Sequence, residues 1–274
     1  MLRHKITQIV DSLPLFPDDV DKLLQAAVKP TDEHISILEK ITDVPEIWTS
    51  VLEMAGSYYG EHDKIETLED ALHCCGLQPM VQLIGVAYAR KAIQEEFSSL
   101  KYLNEYFDHG EHISIGCDIL AHFCDVPQDE RYIYITAGLV HDIGRLAIMV
   151  ATKRTSAHVL GTLWDKMASV VYEEKALLAT DHCEVGRYIC KKWKFSPLIQ
   201  EAVARHHTPI ADDNFSFGGS IIFVSHFLSA SDPSGDIVST FSPAVEILVN
   251  LNLSFEDFIR ARKIYKSRVK GKPE

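Results

Sequence analysis

The sequence has little of what several large classes of protein require. Its six cysteines among 274 residues form no Cys-x-x-Cys pair and no dense framework, so we expect reduced core thiols rather than disulfides. Basic residues number 27 against 39 acidic ones, which gives a formal net charge of −12. That charge argues against attachment to nucleic acid or to an anionic membrane, because either partner needs a basic face. No glycine-rich phosphate loop is present, since no lysine precedes Ser220 in the Gly218-Gly219-Ser220 segment.

Long apolar runs are also missing from the sequence pattern. The N-terminal segment MLRHKITQIVDSL has no apolar core ahead of a small-residue cleavage site. No run approaches the ~20 apolar residues that a membrane-spanning helix needs. We therefore expect a cytoplasmic protein with neither a membrane nor a nucleic acid as its partner.

What the chain does have is apolar residues at helical spacing, with a hydrophobic content of 46%. Ile35, Leu38 and Ile41 show this spacing in the first part of the chain, and no sustained alternation indicates strands. The pattern predicts an all-α protein. The polar segment 94–101 suggests a division into an N-terminal helical bundle at 1–100 and a second helical domain at 101–274. In the second domain we predict helices near 102–124, 130–150, 154–174, 181–193, 197–207, 217–230 and 241–249.

The stretch Ala137–Ile148, AGLVHDIGRLAI, carries the strongest chemical pattern of the chain. Its adjacent His141 and Asp142 place an imidazole and a carboxylate at one point, and that combination suits a divalent metal. The alternative is structural, because an isolated pair of this kind is more often a core histidine beside a helix-capping aspartate. The other candidate ligands in the sequence therefore decide between the two interpretations.

Other histidines stand where a metal site would use them. His109 and His112 lie one helical turn apart, so one can be a ligand while the other is exposed. His182 falls in the first turn of a predicted helix, where the helix dipole disfavours positive charge, and a neutral ligand or core histidine is expected there. His206 and His207 end another helix, where the dipole favours cationic histidines, so that alternative stays open.

Two further sets of residues have a structural interpretation beside the chemical one. His226 lies in the apolar helix SIIFVSHFL, where a satisfied core histidine is the commoner finding unless the helix faces the site. Cys183 and Cys190 lie seven residues apart on one predicted helix and could share a face. We expect both to be core thiols rather than ligands, following the burial habits of free cysteine.

Taken in chain order, these segments resemble a known superfamily. His112 opens an amphipathic helix, VHDIGRLA follows, and the HxxxGxxxxxxW spacing from His182 to Trp193 precedes AVARHH. This order resembles the HD superfamily of metal-dependent phosphohydrolases. The first half, with Ser12-Leu13-Pro14, ITDVPEIWTSVLEMAGSYYG and LEDALHCCG, is similar to the N-terminal bundle of bacterial HDOD proteins. The resemblance covers roughly residues 10–230 and implies a helical bundle packed on an HD-type helical domain.

The resemblance also implies roles for individual residues. Asp142 and Arg145 would be catalytic, with the Arg145 fork holding a phosphate oxygen where active relatives usually carry a lysine. We prefer His112 to His109 as the first ligand, because the helix after His112 looks more like the first-ligand helix of the superfamily. The resemblance implies that one ion is held by His112, His141 and Asp142, and that Asp142 bridges to a second ion on His182, His206 and His207.

The chain departs from the superfamily pattern at the last metal ligand along the sequence. Where relatives usually carry Ala-Asp, this chain has Ser225-His226, so His226 would replace a carboxylate. That change favours imidazole-preferring ions, and we expect one or two ions of Fe, Mn or Zn rather than Mg²⁺. The Gly-Tyr-Pro segment of the enzymes that cleave cyclic di-GMP is absent after His206-His207, which argues against membership of that group.

Two functions remain open from the sequence. The first is an HDOD-type signal-transduction domain with a metal site and weak or no hydrolase activity, working through a signalling protein or a nucleotide. The second is an active metal-dependent phosphohydrolase or phosphodiesterase that acts on a nucleotide or another phosphoester. The altered closing position favours the first function, whereas the complete histidine set favours a retained metal.

Overall fold

The computed structural model describes residues 2–25, 31–59, 65–152, 169–211, 214–229 and 245–270. In these residues the chain is almost entirely helical, which confirms the all-α prediction. The first six helices are α1 (Leu2–Ser12), α2 (Asp18–Gln25), α3 (Asp32–Thr42), α4 (Pro45–Tyr59), α5 (Leu68–Cys75) and α6 (Leu77–Glu96).

The remaining elements follow the predicted order of the second half. The helices are α7 (Leu103–Phe123), α8 (Tyr132–Val140), α9 (Ile143–Thr152), α10 (Ser169–Leu178), α11 (His182–Lys192), α12 (Pro197–Arg205), α13 (Phe217–Ser229), α14 (Val245–Asn250) and α15 (Phe255–Lys270). Between α12 and α13, β1 (Ile210–Ala211) pairs antiparallel with β2 (Asn214–Phe215). The predicted helices at 154–174 and 241–249 lie partly outside the described residues.

One detail of the predicted helices was wrong. The single helix expected at 130–150 is interrupted, since α8 ends at Val140 and α9 begins at Ile143. The apolar pattern continues through this break, so it left no signal in the periodicity. Gly56 lies inside α4, whereas Gly76 separates α5 from α6 with a φ of +81°, which suits glycine.

The N-terminal segment packs directly on the second half of the chain. Trp193 is fully buried, and its indole N–H donates to the carbonyl of Pro14 at 2.9 Å. Phe16 stacks on the same indole with ring centroids 5.2 Å apart. The ammonium of Lys5 donates to the carbonyl of Ala151 at 2.8 Å. One buried apolar cluster runs through both halves, so the domain boundary near residue 100 stays a prediction.

Close backbone contacts place α8 and α9 against their neighbours. A Cβ at Gly144 would lie 2.0 Å from the carbonyl oxygen of His182, so only glycine allows α9 to meet the first turn of α11 at this point. A Cβ at Gly138 would lie 2.8 Å from the Cα of Ser114, so α8 and α7 also approach too closely for a side chain at this point. These two contacts place residues 141–142, where α8 ends and α9 begins, between α7 and α11.

One stretch meets the length and composition of a membrane span, contrary to the expectation that none would come close. It is Tyr132–Thr152, 21 residues long, and 89% of its apolar window is buried inside the protein. The stretch also contains the charged Asp142 and Arg145. It forms the core of the second half, and a buried core helix pair passes such a test as readily as a membrane span does.

Candidate metal centre

Six histidines and one aspartate meet around the break between α8 and α9. Six of these seven residues are at most 3% exposed, and only the His109 side chain, at 21%, reaches solvent. The carboxylate of Asp142 lies at the middle of the group. The seven residues are His109, His141, Asp142, His182, His206, His207 and His226.

The hydrogen bonds of the histidine Nδ1 atoms orient the rings. A carbonyl oxygen can only accept, so each Nδ1 that meets one carries the proton and leaves Nε2 with a free lone pair. Three histidines follow this rule with a carbonyl about one helical turn earlier: His141 donates to Gly138 at 2.8 Å, His206 to Val203 at 2.7 Å and His226 to Ile222 at 2.9 Å. Their Nε2 atoms are the ones available to a metal.

Glu174 orients a fourth histidine and was not predicted from the sequence. Its Oε2 accepts from His182 Nδ1 at 2.6 Å and from the His182 backbone N–H at 2.8 Å. A carboxylate behind a metal-binding histidine sets the tautomer and raises the basicity of the opposite nitrogen. Glu174 lies in α10 with no motif around it, so only the packing of α10 against α11 could reveal its role.

The two oxygens of Asp142 face different histidines. Oδ2 lies 3.5 Å from His141 Nε2 and 3.8 Å from His109 Nε2. Oδ1 lies 3.4 Å from His182 Nε2 and 3.5 Å from His206 Nε2. The carboxylate therefore has one oxygen for each of two possible ligand groups, as a bridging carboxylate does in a two-metal site.

The spacing of these atoms fits a cation better than it fits hydrogen bonds. His182 Nε2 and His206 Nε2 are 3.3 Å apart, although both rings hold their proton on Nδ1. With Asp142 Oδ1 they form a triangle of lone pairs with edges of 3.3 to 3.5 Å. Two ligands of a tetrahedral ion with metal–nitrogen bonds of ~2.0–2.1 Å lie about 3.4 Å apart. The residues therefore fit a bound metal ion.

Unpartnered buried nitrogens point the same way. His141 Nε2 and His109 Nε2 have no hydrogen-bond partner among the described residues. A buried polar atom without a partner costs roughly 1–3 kcal/mol, so proteins seldom leave one unless a ligand or water satisfies it. Both nitrogens face Asp142 Oδ2, where a metal ion would satisfy them together.

The electrostatics of the site keep the ligands in their metal-binding forms. Burial lowers the pKa of His206 to about 4 and that of His109 to about 3, and it holds the pKa of His226 well below its ordinary value. Burial alone would raise the pKa of Asp142, but the Arg145 guanidinium and the neighbouring imidazoles hold it well below its usual range. At neutral pH these three histidines are thus neutral beside an ionised carboxylate, as metal binding requires.

The Arg145 side chain is buried within this group of residues and does not reach solvent. Its Nε is 2.7 Å from Asp142 Oδ1, and its Nη2 donates to His207 Nε2 at 3.3 Å. The side chain is 2% exposed. The guanidinium thus contacts two of the predicted metal ligands in this structure.

Similarity to known proteins decides the family. The sequence profile of the HDOD domain matches residues 13–209, well over half of the chain. This chain belongs to the HDOD family. No curated protein sequence matches it significantly. The match spans α2 to α12 and includes every residue of the centre except His226.

Solved structures of several bacterial proteins share the fold of this HDOD chain. A proposed phosphohydrolase from Shewanella amazonensis SB2B is 20% identical, with a TM-score of 0.70 over 96% of this chain and 93% of its own. An HDOD domain protein of unknown function from Geobacter sulfurreducens is 17% identical, with a TM-score of 0.60 and 97% of both chains covered. A proposed signal transduction protein from Marinobacter aquaeolei VT8 is 14% identical, with a TM-score of 0.62 over 98% of this chain and 63% of its own.

The structure brings together most of the predicted ligands of this HDOD chain. His141, Asp142, His182, His206 and His207 all lie in the group. His226 also faces it, in a ring contact with His141 at 5.1 Å, although a core histidine was the commoner alternative.

The preference for His112 is not supported by the geometry. His109, not His112, stands with His141 and His226, and its ring lies 5.1 Å from that of His141. Three residues along a helix turn the side chain by about 60° and raise it by about 4.5 Å, so the two histidines of α7 cannot occupy the same position. The position of α8 beside α7 selects His109.

The two cysteines of α11 differ in their surroundings. Cys190 is fully buried in the apolar core, as a core thiol is expected to be. Cys183 is also buried, but its Sγ lies 3.5 Å from His182 Nε2 and 4.0 Å from His206 Nε2. Burial raises the pKa of Cys183 well above its ordinary value, so its thiol stays protonated at neutral pH.

Proposed function

We propose that this HDOD chain is a signal-transduction domain whose buried centre holds one or two divalent transition metal ions, with weak or no hydrolase activity. The observation that carries the proposal is the convergence of imidazole nitrogens on Asp142, where the Nε2 atoms of His141 and His109 lie 3.5 and 3.8 Å from Oδ2 and have no hydrogen-bond partner among the described residues. Buried acceptors that face one another without a donor are stable in a protein interior only around a cation.

The composition of the centre indicates which ions it would hold. It offers six imidazoles and one carboxylate, with His226 in place of an expected carboxylate. Imidazole ligands suit Zn²⁺ and Fe²⁺, whereas Mg²⁺ requires mostly oxygen ligands. We therefore propose Fe, Mn or Zn as the metal, with Mn²⁺ the least favoured of the three on ligand type.

Burial favours a structural or signalling role over rapid turnover. A phosphoester would have to enter beside His109, since every other side chain of the centre is at most 3% exposed. Arg145, predicted to bind a phosphate oxygen, points at Asp142 and His207 instead. The domain would then bind a signalling protein or a phosphoester and respond by a change in its own helix packing. It would not hydrolyse the phosphoester rapidly.

The second candidate function is a working phosphohydrolase. A metal ion in this centre would lower the pKa of a bound water, and the resulting hydroxide is the usual nucleophile of such enzymes. Asp142 offers one oxygen to each side of the centre, and His109 gives the site its contact with solvent. The fold shared with proposed phosphohydrolases is consistent with this candidate but shows the fold alone.

The two histidines of α7 allow a matched test of the metal site. His109→Ala removes a proposed ligand, whereas His112→Ala removes a partly buried histidine one turn along the same helix. We expect His109→Ala to lower metal affinity more than the ~10–100-fold typical of losing a group that only orients a ligand, and His112→Ala to leave it unchanged. Metal titration of both variants measures this, and equal losses in both would contradict the assignment.

Activity separates the two candidate functions once the metal is bound. The wild-type protein and Asp142→Ala would be loaded anaerobically with Fe²⁺, Mn²⁺ or Zn²⁺ and assayed on nucleotides and phosphodiesters. The signalling function predicts rates near background for both proteins. A metal-dependent rate that falls about 100-fold or more in Asp142→Ala would establish the phosphohydrolase instead.

DNA binding is tested separately. Retention of the protein on DNA at low salt would contradict the expected lack of a nucleic-acid partner.

A further inference from the structure

The two sides of Asp142 are not equivalent in this structure. On the Oδ2 side stand His109, His141 and His226, with ring centroids 5.1 to 5.4 Å apart. Each ring offers one ligand atom within 4.8 Å of the other two, and Oδ2 lies 3.5 Å from His141 Nε2 and 3.8 Å from His109 Nε2. A tetrahedral ion needs four such ligands. The Oδ1 side has His182, His206 and His207, which is also enough. The difference between the sides is the guanidinium of Arg145.

Arg145 takes two of the four ligand atoms on the Oδ1 side. Its Nε lies 2.7 Å from Oδ1, and its Nη2 donates to the Nε2 lone pair of His207 at 3.3 Å. An imidazole that accepts a hydrogen bond at Nε2 cannot bind a metal through the same lone pair. With Arg145 in this position only His182 and His206 remain, and two imidazoles are too few for a tight site.

The charge of the centre leads to the same result. Among the described residues, the acids of the centre are the buried Asp142 and the partly buried Glu174, and its buried base is Arg145. Two divalent ions together with Arg145 would leave three positive charges uncompensated in the interior, whereas one ion would leave one. Uncompensated charge is costly at low dielectric, so the arginine favours the occupancy of a single ion.

We propose that the Arg145 guanidinium stands in for the second metal ion, so that the centre holds one ion, bound by His109, His141, His226 and Asp142 Oδ2. The inference rests on the proposed metal-binding function and specifies the number of ions and their position. In this arrangement Arg145 is a positioning residue that holds Asp142 and His207, and its charge replaces that of an ion on the Oδ1 side.

Metal content of the full-length protein tests the inference, with the divalent metal alone as the probe. Wild type should bind about one ion per chain and Arg145→Gln about two, since the glutamine removes the charge from the Oδ1 side. When loaded with Mn²⁺, wild type should show the electron paramagnetic resonance spectrum of an isolated ion. Arg145→Gln should show that of an exchange-coupled pair bridged by Asp142.

A second pair of variants covers the case in which Arg145→Gln does not fold. His226→Ala should abolish binding of the one ion, whereas His207→Ala should keep it, because His207 Nε2 accepts a hydrogen bond from Arg145 instead of facing the ion. Each result has a distinct meaning. Two ions in wild type, or one ion in a folded Arg145→Gln variant, would overturn the inference and leave the metal-binding function standing. Loss of the ion in His207→Ala would also overturn it. No ion in any protein would refute the metal-binding function itself.

Discussion

Two polar regions of this protein differ in how their charges are satisfied. The open pocket between α4, α6 and α7 has a volume of about 420 Å³ and contains Arg90, Lys91, Glu46 and Glu111 among its lining residues. There each base meets an acid, with Lys91 Nζ 2.8 Å from Glu46 and Arg90 Nη1 3.2 Å from Glu111. That pocket already has the counter-charges it needs.

In the buried centre, by contrast, not every polar atom of the described residues has a matching partner. Its histidines send lone pairs toward one another and toward Asp142, and two of these nitrogens have no hydrogen-bond partner in the described part of the chain. The open pocket has an acid for each of these bases, whereas the Nε2 atoms of His109 and His141 face Asp142 without a donor among the described residues. Buried acceptors of this kind mark a candidate cation site more clearly than the size of a cavity does.

The largest expected effect comes from removing the carboxylate at the middle of the centre. Asp142→Ala leaves Arg145 as a buried charge without its ion-pair partner, 2% exposed. We expect a loss of ~3–5 kcal/mol in the free energy of unfolding of the metal-free protein, and loss of metal binding. Urea unfolding and metal analysis measure the two effects. A variant as stable as wild type would show that the centre carries no charge that needs compensation.

The second effect is a dependence of stability on pH. The pKa of His206 is lowered to about 4 and that of His109 to about 3, from an ordinary value of 6.5. The unfolded chain therefore takes up these protons first as the pH falls below 6.5. The metal-free protein should lose about 1.4 kcal/mol per histidine and pH unit between pH 6.5 and 4.

Urea unfolding of the metal-free protein at pH 7, 6 and 5 measures this slope. His109→Ala should make the slope shallower, because it removes one of these buried histidines. A free energy of unfolding that stays constant from pH 7 to 5 would contradict the burial of neutral histidines in the centre.

A smaller effect is expected from the glutamate behind His182. Glu174→Ala leaves the Nδ1–H and the backbone N–H of His182 without their acceptor. We expect a loss of ~1–3 kcal/mol in the free energy of unfolding. Glu173→Ala, at the exposed neighbouring position of α10, is the matched control. Equal losses in the two variants would show that Glu174 does not orient the histidine.

The smallest effect should come from the open pocket. Arg90→Met removes an ion pair with Glu111 and a cation–π contact with Phe107 at 4.8 Å. Because both side chains of the ion pair are partly exposed, we expect a loss of about 1 kcal/mol and no change in metal content. A change in metal content would mean that the pocket and the centre are coupled through α7.

The sequence could predict the helical fold and the members of the centre that lie in motifs. His141-Asp142 and His206-His207 are adjacent pairs. Gly144, two residues after Asp142, is required by the close approach of its backbone to the carbonyl of His182. Each of these features is local, so a pattern along the chain can show it.

What the sequence could not predict depends on how helices pack. His109 and His112 differ by about 60° around α7, and only the position of α8 selects between them. Glu174 has no motif, because its role arises when α10 packs on α11. The orientation of Arg145 toward His207 joins residues 62 positions apart, and no periodicity reports such a contact.

The most direct test of the central claim is anomalous diffraction from crystals grown with Fe²⁺ or Zn²⁺, recorded at the absorption edge of the metal. The account predicts one strong peak among His109, His141, His226 and the Oδ2 of Asp142, within about 2.0–2.2 Å of the ligand atoms. A centre without a peak under these conditions, or an ion bound only to surface histidines, would contradict it.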